Sequence, residues 1–233
     1  MGKNIFKNCD KIIVMKSSEE HHQKNNELIL DKISVLDIPL LSCNRVVEKK
    51  RNNRNYKLVF IGSINKTIRN PKFIISLLES ISMFNIEVSF IGEINCIDMF
   101  DRLKEKYQSR ISFLGRVSHD ISIEQMLNAD ILLNIGNSNS SMVPSKIFEY
   151  MSTGKPIIST LPIKNEPSAQ YLTKYPSALI FDEDRSDFNI IAEEILNFIG
   201  KSKDIQVNYD DLEKKFYKNT PKAFVDLIND LKK

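Results

Sequence analysis

The chain has 233 residues, of which 42% are hydrophobic and 27% charged, and this is the composition of an ordinary globular protein. Its net charge of +3 is too small to indicate a nucleic-acid-binding protein. The three cysteines have no zinc-site or redox spacing, and no apolar run reaches the roughly 18 residues of a membrane span. We therefore expect one domain with an appendage, in the reducing cytoplasm.

The first 55 residues form a segment with a different character from the rest of the chain. Short strands are predicted at residues 8–15 and 32–36, separated by a polar and partly helical stretch at 17–30. A basic run at 49–54 (KKRNNR) is predicted to be a solvated linker, with a phospholipid or polyphosphate contact as the alternative. Because so short a segment cannot easily bury a core, residues 1–55 are predicted to be a remnant or docking edge of another domain.

From residue 56 to residue 233, short apolar runs alternate with amphipathic stretches. Strands are predicted at 57–62, 87–92, 110–115, 130–135, 155–160 and 178–181. Helices are predicted at 71–84, 96–108, 121–128, 144–153, 187–199 and 209–232, the last with a break near Pro221. This alternation predicts an α/β fold with a doubly wound parallel sheet, a Rossmann-like domain.

Glycines stand at or just beyond the ends of four predicted strands: Gly62, Gly92, Gly115 and Gly136. Doubly wound sheets bind their ligands beyond the carboxyl ends of the strands. Glycine at such an end lets a phosphate approach the backbone closely, although a simple chain turn is the alternative for about half of them. The sequence therefore predicts a ligand site at this edge of the sheet.

The densest set of candidate ligand groups lies at residues 137–150 (NSNSSMVPSKIFEY). Here a polar loop leaves a strand and enters a helix near Pro144, and the start of a helix favours a diphosphate. Ser145 and Lys146 would add a hydroxyl and an ammonium group. Glu149 shares a helix face with Lys146 and could accept two ribose hydroxyls, with a surface Lys–Glu pair as the alternative.

The loop after the first predicted strand of the sheet carries two cations, Lys66 and Arg69, which could neutralise a leaving diphosphate. A solvated loop is the alternative. Backbone groups near Gly92 and at 115–117 could hold a base or a phosphate, whereas a lone histidine such as His119 is more often a surface or capping residue. The sequence contains no metal cluster, Walker motif or GxGxxG motif, so neither a metal nor a cofactor is predicted.

Together these loops resemble the C-terminal domain of group 1 glycosyltransferases, the family 4-like enzymes of the two-domain GT-B type. The resemblance covers residues 56–233, with a weaker similarity at 5–40. It is carried by FIGS at 60–63, FIGE at 90–93 and FLGRV at 113–117. The most specific part is NADILLNI at 128–135 followed by PSKIFEYMSTGKPII at 144–158.

The resemblance implies roles for the residues in these loops. Lys66 and Arg69 would face the donor diphosphate as catalytic cations, and Glu149 would hold the ribose. The other implied donor contacts are Gly62, Ser63, Gly92, Glu93, Val117, Ser141, Met142, Val143, Ser145 and Lys146. Ser141 stands where the family has a glutamate, so the contact with the donor sugar departs from the family pattern.

The resemblance also implies a reaction. It is the transfer of a sugar from a UDP- or GDP-sugar to an acceptor glycan or lipid-linked sugar in bacterial polysaccharide assembly, without metal or cofactor and with retained configuration. The enzyme is expected in the cytoplasm, at the inner face of the membrane if it is peripheral. The early segment resembles the last strand and helix of the family's N-terminal domain, but nothing in the chain supplies the acceptor-binding groups, so an N-terminal acceptor domain or a partner chain is expected. A non-catalytic nucleotide-sugar-binding or regulatory subunit and a sugar-nucleotide epimerase are the alternatives.

Overall fold

The structure, a computed structural model, describes residues 8–16, 19, 24, 27–43, 55–202 and 204–230. Within these residues the chain forms a two-stranded sheet and a six-stranded sheet. The basic run at 49–54 and most of the polar stretch predicted at 17–30 lie outside the described residues. The predictions for those two segments therefore remain predictions.

The two-stranded sheet is built from the N-terminal segment. Strand β1 (Ile12–Met15) pairs in parallel with β2 (Ile33–Leu36), and a 3-10 turn at Glu27–Lys32 leads into β2. Both strands have the β-branched and apolar residues that favour extended chain. The strands predicted at 8–15 and 32–36 are confirmed. β1 covers only the second half of its predicted range, whereas β2 covers nearly all of its range.

Residues 37–43 connect this small sheet with the larger domain and are held against its C-terminal part. The Leu41 N–H donates to the carbonyl oxygen of Asn219 at 2.8 Å, and the Tyr171 hydroxyl donates to the Asp37 carboxylate at 2.9 Å. The Leu41 side chain is fully buried. The N-terminal segment is therefore attached to the larger domain by main-chain and side-chain bonds.

The six-stranded sheet is entirely parallel, with the strand order β5-β4-β3-β6-β7-β8. Its strands are β3 (Tyr56–Ile61), β4 (Ile86–Ile91), β5 (Ile111–Phe113), β6 (Ile131–Ile135), β7 (Ile157–Leu161) and β8 (Ala178–Asp182). This is a doubly wound α/β sheet, as the sequence predicts. The strand order reverses between β3 and β6, and doubly wound sheets bind ligands beyond the carboxyl ends of their strands at such a reversal.

Eight α-helices are seen in the described part of the chain: α1 (Lys72–Ser80), α2 (Asp101–Tyr107), α3 (His119–Leu127), α4 (Lys146–Ser152), α5 (Ala169–Leu172), α6 (Phe188–Ser202), α7 (Tyr209–Lys215) and α8 (Pro221–Asp230). Short 3-10 turns occur at Ile97–Phe100, Gln108–Arg110 and Tyr217–Asn219. The break near Pro221 is confirmed, because α7 ends at Lys215 and α8 begins at Pro221. Proline suits the first turn of a new helix. Only α5 had no sequence prediction, because so short a helix has no periodic pattern.

A separate apolar cluster packs on each face of the large sheet. In β3 the side chains of Leu58 and Phe60 belong to the first cluster, and those of Val59 and Ile61 belong to the second. This division follows from the strand geometry, in which successive side chains point to opposite faces. Both faces of the sheet are thus covered, which explains why its strands are nearly continuous apolar runs.

Tyr150 joins α4 to the end of β3 inside the second cluster. Its side chain is fully buried, and its hydroxyl accepts the Ile61 N–H at 2.8 Å and donates to the Ile61 carbonyl at 3.3 Å. Burial raises the pKa of Tyr150 above its usual value. This bond holds α4 beside the carboxyl end of β3.

We expect Tyr150→Phe to lower the free energy of unfolding by about 1–3 kcal/mol, because the buried Ile61 N–H would lose its partner. Urea unfolding followed by circular dichroism measures the change. Tyr217→Phe is the matched control, since the Tyr217 hydroxyl is exposed and bonded to the exposed Asp226, and it should leave the midpoint unchanged. Equal midpoints for wild type and Tyr150→Phe would show that this bond does not stabilise the fold.

Candidate functional site

Three glycine-containing loops lie side by side at the carboxyl edge of β3, β4 and β5. The Gly62 N–H donates to the Ile91 carbonyl at 2.9 Å, and the Gly92 N–H donates to the Gly115 carbonyl at 2.7 Å. Gly92 has a φ of 127°, and a Cβ on it would lie 2.1 Å from the Gly62 carbonyl oxygen. Only glycine therefore allows the β3 and β4 loops to approach so closely.

A cavity of about 380 Å³ opens at this edge. It is lined by six of the residues predicted to contact a ligand: Gly62, Ser63, Gly92, Glu93, Val117 and Lys146. Arg116, His119 and Ser122 also line it. The sequence predicted a backbone contact at 115–117, which includes Arg116, but no site role for the side chains of these three residues. Arg116 forms an ion pair with Glu93 across the β4 and β5 loops. The cavity therefore combines glycine backbone, one lysine and one Arg–Glu pair.

Lys146 and Glu149 form an ion pair on one face of α4. The Lys146 Nζ lies 2.9 Å from each carboxylate oxygen of Glu149, and the side chains are 27% and 22% exposed. Lys146 lines the glycine cavity, whereas Glu149 lines a neighbouring apolar groove of about 380 Å³, and His119 borders both. The shared helix face predicted for the two residues is confirmed.

The start of α4 differs from the prediction. The helix begins at Lys146 rather than near Pro144, with Ser145 as its N-cap and no side-chain capping bond. The N–H groups of Ile147 and Phe148 donate to the carbonyls of Pro144 and Ser145 at 3.1 and 3.2 Å. These bonds use donors that a longer free helix end would offer to an anion. The helix start therefore contributes fewer free donors than the sequence predicted.

Arg69 lies between the loops that follow β3 and β6. Its Nε donates to Asn137 Oδ1 at 3.1 Å and its Nη1 donates to the Ser63 carbonyl at 3.2 Å. The two loops are also joined by Ser138, whose N–H donates to the Ile68 carbonyl at 2.8 Å. Burial lowers the pKa of Arg69, while Tyr150 and Glu166 act in the opposite direction. The guanidinium is thus fixed at the reversal of the strand order.

Lys66 lies apart from the other predicted cation and from the α4 pair. Its Nζ is 3.4 Å from the Asp98 carboxylate, its side chain is 59% exposed, and it is not among the residues lining the glycine cavity. The Asn65 side chain turns the loop here by accepting the N–H groups of Thr67 and Ile68. The structure therefore does not bring Lys66 together with Lys146 and Glu149.

The other predicted contacts, Ser141, Met142 and Val143, lie in the loop before α4. The Ser141 N–H donates to Asn139 Oδ1 at 2.9 Å, and the Met142 carbonyl accepts from Asn137 Nδ2 at 2.8 Å. Val143 packs against the second apolar cluster. Asn137, which the sequence did not single out as a ligand residue, is therefore the residue that shapes this loop. Its position directly after the β6 glycine was the available signal.

No group of three or more histidine, cysteine or acidic side chains suited to a metal ion occurs among the described residues. None of the described helices has both the length and the apolar character needed to cross a bilayer.

The same fold occurs in solved structures of GT-B glycosyltransferases. The lipopolysaccharide outer core galactosyltransferase WaaB, in its apo form, matches 96% of this chain with 14% identity and a TM-score of 0.64. The S. aureus protein TarM, as a mutant in complex with Fondaparinux, alpha-GlcNAc-glycerol and UDP, matches 98% with 15% identity and a TM-score of 0.60. Anabaena HepE, in complex with UDP and glucose, matches 95% with 14% identity and a TM-score of 0.57.

These likenesses show that the chain has a GT-B glycosyltransferase-like fold, as the resemblance predicts. The chain covers 61% of WaaB, 45% of TarM and 63% of HepE, less than two thirds of each protein. No family model matches the chain, and no curated protein sequence matches it. The solved structures therefore show the fold of this chain and not its activity.

Proposed function

We propose that the chain is the donor-binding half of a glycosyltransferase, which binds a UDP- or GDP-sugar and transfers its sugar to an acceptor glycan or lipid-linked sugar. One observation carries the proposal. A cavity floored by glycine loops lies at the carboxyl edge of a doubly wound sheet, with the Lys146–Glu149 pair at its side. Such an edge is where nucleotides bind in sheets of this kind.

Each part of the donor is assigned a group in the cavity wall or next to it: Arg69 is bonded to the wall residue Ser63, and Glu149 is paired with the wall residue Lys146. The diphosphate lies over Gly62 and Ser63 beside Arg69, where the Ser63 N–H and hydroxyl and the guanidinium can bind its oxygens. The ribose hydroxyls bond to Glu149, as hydroxyls do to acidic residues in other nucleotide sites. The base lies near Gly92 and Val117, against the backbone of the β4 and β5 loops.

Binding the donor requires the Lys146–Glu149 ion pair to open. Without a ligand, the ammonium and the carboxylate satisfy each other at 2.9 Å. A nucleoside diphosphate offers phosphate oxygens to Lys146 and hydroxyl donors to Glu149, so each charged group exchanges one partner for another. The pair therefore favours a ligand that carries both an anion and neighbouring hydroxyls, and it disfavours phosphate alone.

In the transfer step, negative charge develops on the diphosphate as the sugar leaves. Arg69 is held beside Ser63 before the reaction, and a fixed cation of this kind stabilises the developing charge without reorganisation. Lys66 would join it if its exposed pair with Asp98 opened on donor binding. Metal independence, retention of configuration and a cytoplasmic site of action belong to the same proposal.

The acceptor half is also part of the proposal. Solved GT-B structures that match this chain extend well beyond the matched region. We infer that an N-terminal domain or partner chain supplies the acceptor site and closes over the donor, because sugar transfer requires the exclusion of water. The solved structures named above include one with UDP and a GlcNAc-glycerol and one with UDP and glucose.

Glu149→Ala tests the observation that carries the proposal. We expect it to weaken UDP or GDP binding by about 1–3 kcal/mol, because the ribose would lose a charged hydrogen-bond partner. Titration calorimetry measures the change, and Glu124→Ala, which removes an exposed carboxylate from α3, is the control. Unchanged affinity in Glu149→Ala would remove Glu149 from the site, and a wild type that binds neither UDP nor GDP would overturn the donor-binding proposal.

A non-catalytic nucleotide-sugar-binding subunit is the second candidate. It is favoured by Ser141, an exposed serine at the position where the family has a glutamate that contacts the donor sugar. Release of free sugar from a UDP- or GDP-sugar by this chain would favour the enzyme. Nucleotide-sugar binding without turnover, with the acceptor half present, would favour the binding subunit.

A further inference from the structure

Glu166 is a buried carboxylate that the proposed mechanism does not use. It lies in the loop after β7 and is only 2% exposed. Its Oε1 accepts the Asn137 N–H at 3.2 Å, and its Oε2 accepts the Ser168 N–H at 2.8 Å and also the Ser168 hydroxyl. Burial raises the pKa of this carboxyl, and the hydrogen bonds act in the opposite direction. A buried acid in such a position needs donors that offset its desolvation.

Asn137 continues the contact from Glu166 towards the donor site. Asn137 is also only 2% exposed. While its backbone N–H is bound by Glu166, its side chain accepts from Arg69 Nε at 3.1 Å and donates to the Met142 carbonyl at 2.8 Å. Asn137 therefore links the other two residues, because Glu166 binds its backbone N–H and its side-chain amide binds the Arg69 guanidinium.

This chain of bonds addresses the main difficulty of using an arginine as a fixed cation. An arginine side chain has many rotamers, and their loss opposes any single placement. A guanidinium stabilises developing charge best when it is already in place before the reaction. The neighbourhood of Gly136 is packed tightly enough to hold the carboxylate, since a Cβ there would lie 3.0 Å from Glu166 Cγ. Packing and hydrogen bonds on both carboxylate oxygens thus hold Glu166 in place, and it can hold Asn137 beside Arg69.

We propose that Glu166 is a positioning residue, which acts through Asn137 to hold Arg69 beside the Gly62–Ser63 backbone for the diphosphate of the donor. Glu166 itself does not line the cavity. This inference rests on the proposed function, because it assigns a purpose to the position of Arg69. It predicts that Glu166 contributes to diphosphate binding and contributes little to binding of the nucleoside part.

Glu166→Gln is the first test variant, because it keeps the shape and removes the charge. Glu183→Gln is the matched control. Glu183 is another carboxylate at the same sheet edge whose pKa is raised by burial, but its partner is the Thr160 hydroxyl at 2.6 Å. Hydrogen exchange of the Arg69 Nε–H, followed by NMR in the free protein, reports whether the guanidinium is held. Calorimetry with UDP against UMP, and with GDP against GMP, isolates the contribution of the second phosphate.

In Glu166→Gln we expect faster exchange of the Arg69 Nε–H and roughly tenfold weaker diphosphate binding, the loss of about one charged hydrogen bond. Monophosphate affinity should stay within about twofold, because Arg69 is assigned to the diphosphate and a monophosphate lacks the second phosphate. A general structural defect would instead lower both affinities alike. Glu183→Gln should change neither property. Asn137→Ala cuts the same chain at its other end and should reproduce the selective loss, which provides a second test if Glu166→Gln folds poorly.

Two results would separate this inference from the proposed function. Unchanged Arg69 exchange in both Glu166→Gln and Asn137→Ala would overturn the positioning role, even if wild type binds UDP or GDP tightly. Equal losses of diphosphate and monophosphate affinity would overturn it as well, by showing a structural role. A wild-type protein that holds Arg69 but binds neither UDP nor GDP would instead refute the proposed function, and the diphosphate role with it.

Discussion

Replacing Arg69 with alanine should lower the rate of sugar transfer at saturating donor by about 10²–10³-fold, the range found for removing one fixed donor to developing charge. The reason is its placement: the guanidinium is bonded to Ser63 and Asn137 and is partly desolvated, so its charge acts strongly on the leaving diphosphate. Turnover of UDP- and GDP-sugars, with the acceptor half present, measures the effect.

Two further variants make the Arg69 result specific. Arg69→Lys keeps the charge but loses the planar fork of donors, so its rate should fall between wild type and Arg69→Ala. Arg102→Ala removes an exposed arginine of α2, which is paired with Glu79 of α1, and it should leave turnover unchanged. A wild-type rate for Arg69→Ala in a folded protein would contradict the assignment of Arg69 as the cation that stabilises the leaving group.

Gly92→Ala should have the largest effect on stability among the site residues, at about 2–4 kcal/mol of unfolding free energy. A Cβ at this position would meet the Gly62 carbonyl oxygen at 2.1 Å, and the φ of 127° is one that side chains other than glycine rarely adopt. Both loops would have to move, so UDP or GDP binding should be lost as well. Urea unfolding and calorimetry measure the two effects separately.

Substitutions at two other glycines distinguish the effect of the close Cβ contact from the effect of backbone strain. Gly115 has a φ of 64° with nothing within 4 Å of an added Cβ, so Gly115→Ala should show only the strain, about 1–2 kcal/mol. Gly200 lies within α6 and also has nothing within 4 Å, so Gly200→Ala should stabilise the protein by about 0.5–1 kcal/mol. If Gly92→Ala is no more destabilising than Gly115→Ala, the close approach of the two loops is not a constraint.

Most of the architecture could be predicted from sequence because every element except the short α5 carries its own local signal. The β3 run and the β4 run are mostly apolar, and each is followed by a glycine that marks the loop. In α1 the buried residues follow helical spacing. Parallel order and burial on both faces then follow from the alternation of strands and helices.

The arrangement of the site could be predicted only in part, because it depends on contacts between loops that are distant in the sequence. Glycine and lysine at strand and helix ends indicated where a ligand would bind. The bond between Arg69 and Asn137 spans 68 positions, and the one between Asn137 and Glu166 spans 29. No local pattern contains such pairs. The exposed ion pair of Lys66 with Asp98 is missed for the same reason.

The joining of the β3 and β6 loops has a consequence for the order of folding. Arg69 can meet Asn137 only after β3 and β6 have paired, and this contact closes a long stretch of chain. Contacts between residues so far apart in the sequence form slowly, because the entropy of closing the intervening chain is lost before the contact contributes favourable free energy. Intermediates with local helices and incomplete central pairing would lack the proposed anion site. Nucleotide binding would then report completed folding, and a nucleotide at about 100 times its Kd would raise the stability of the finished fold by about 2.7 kcal/mol.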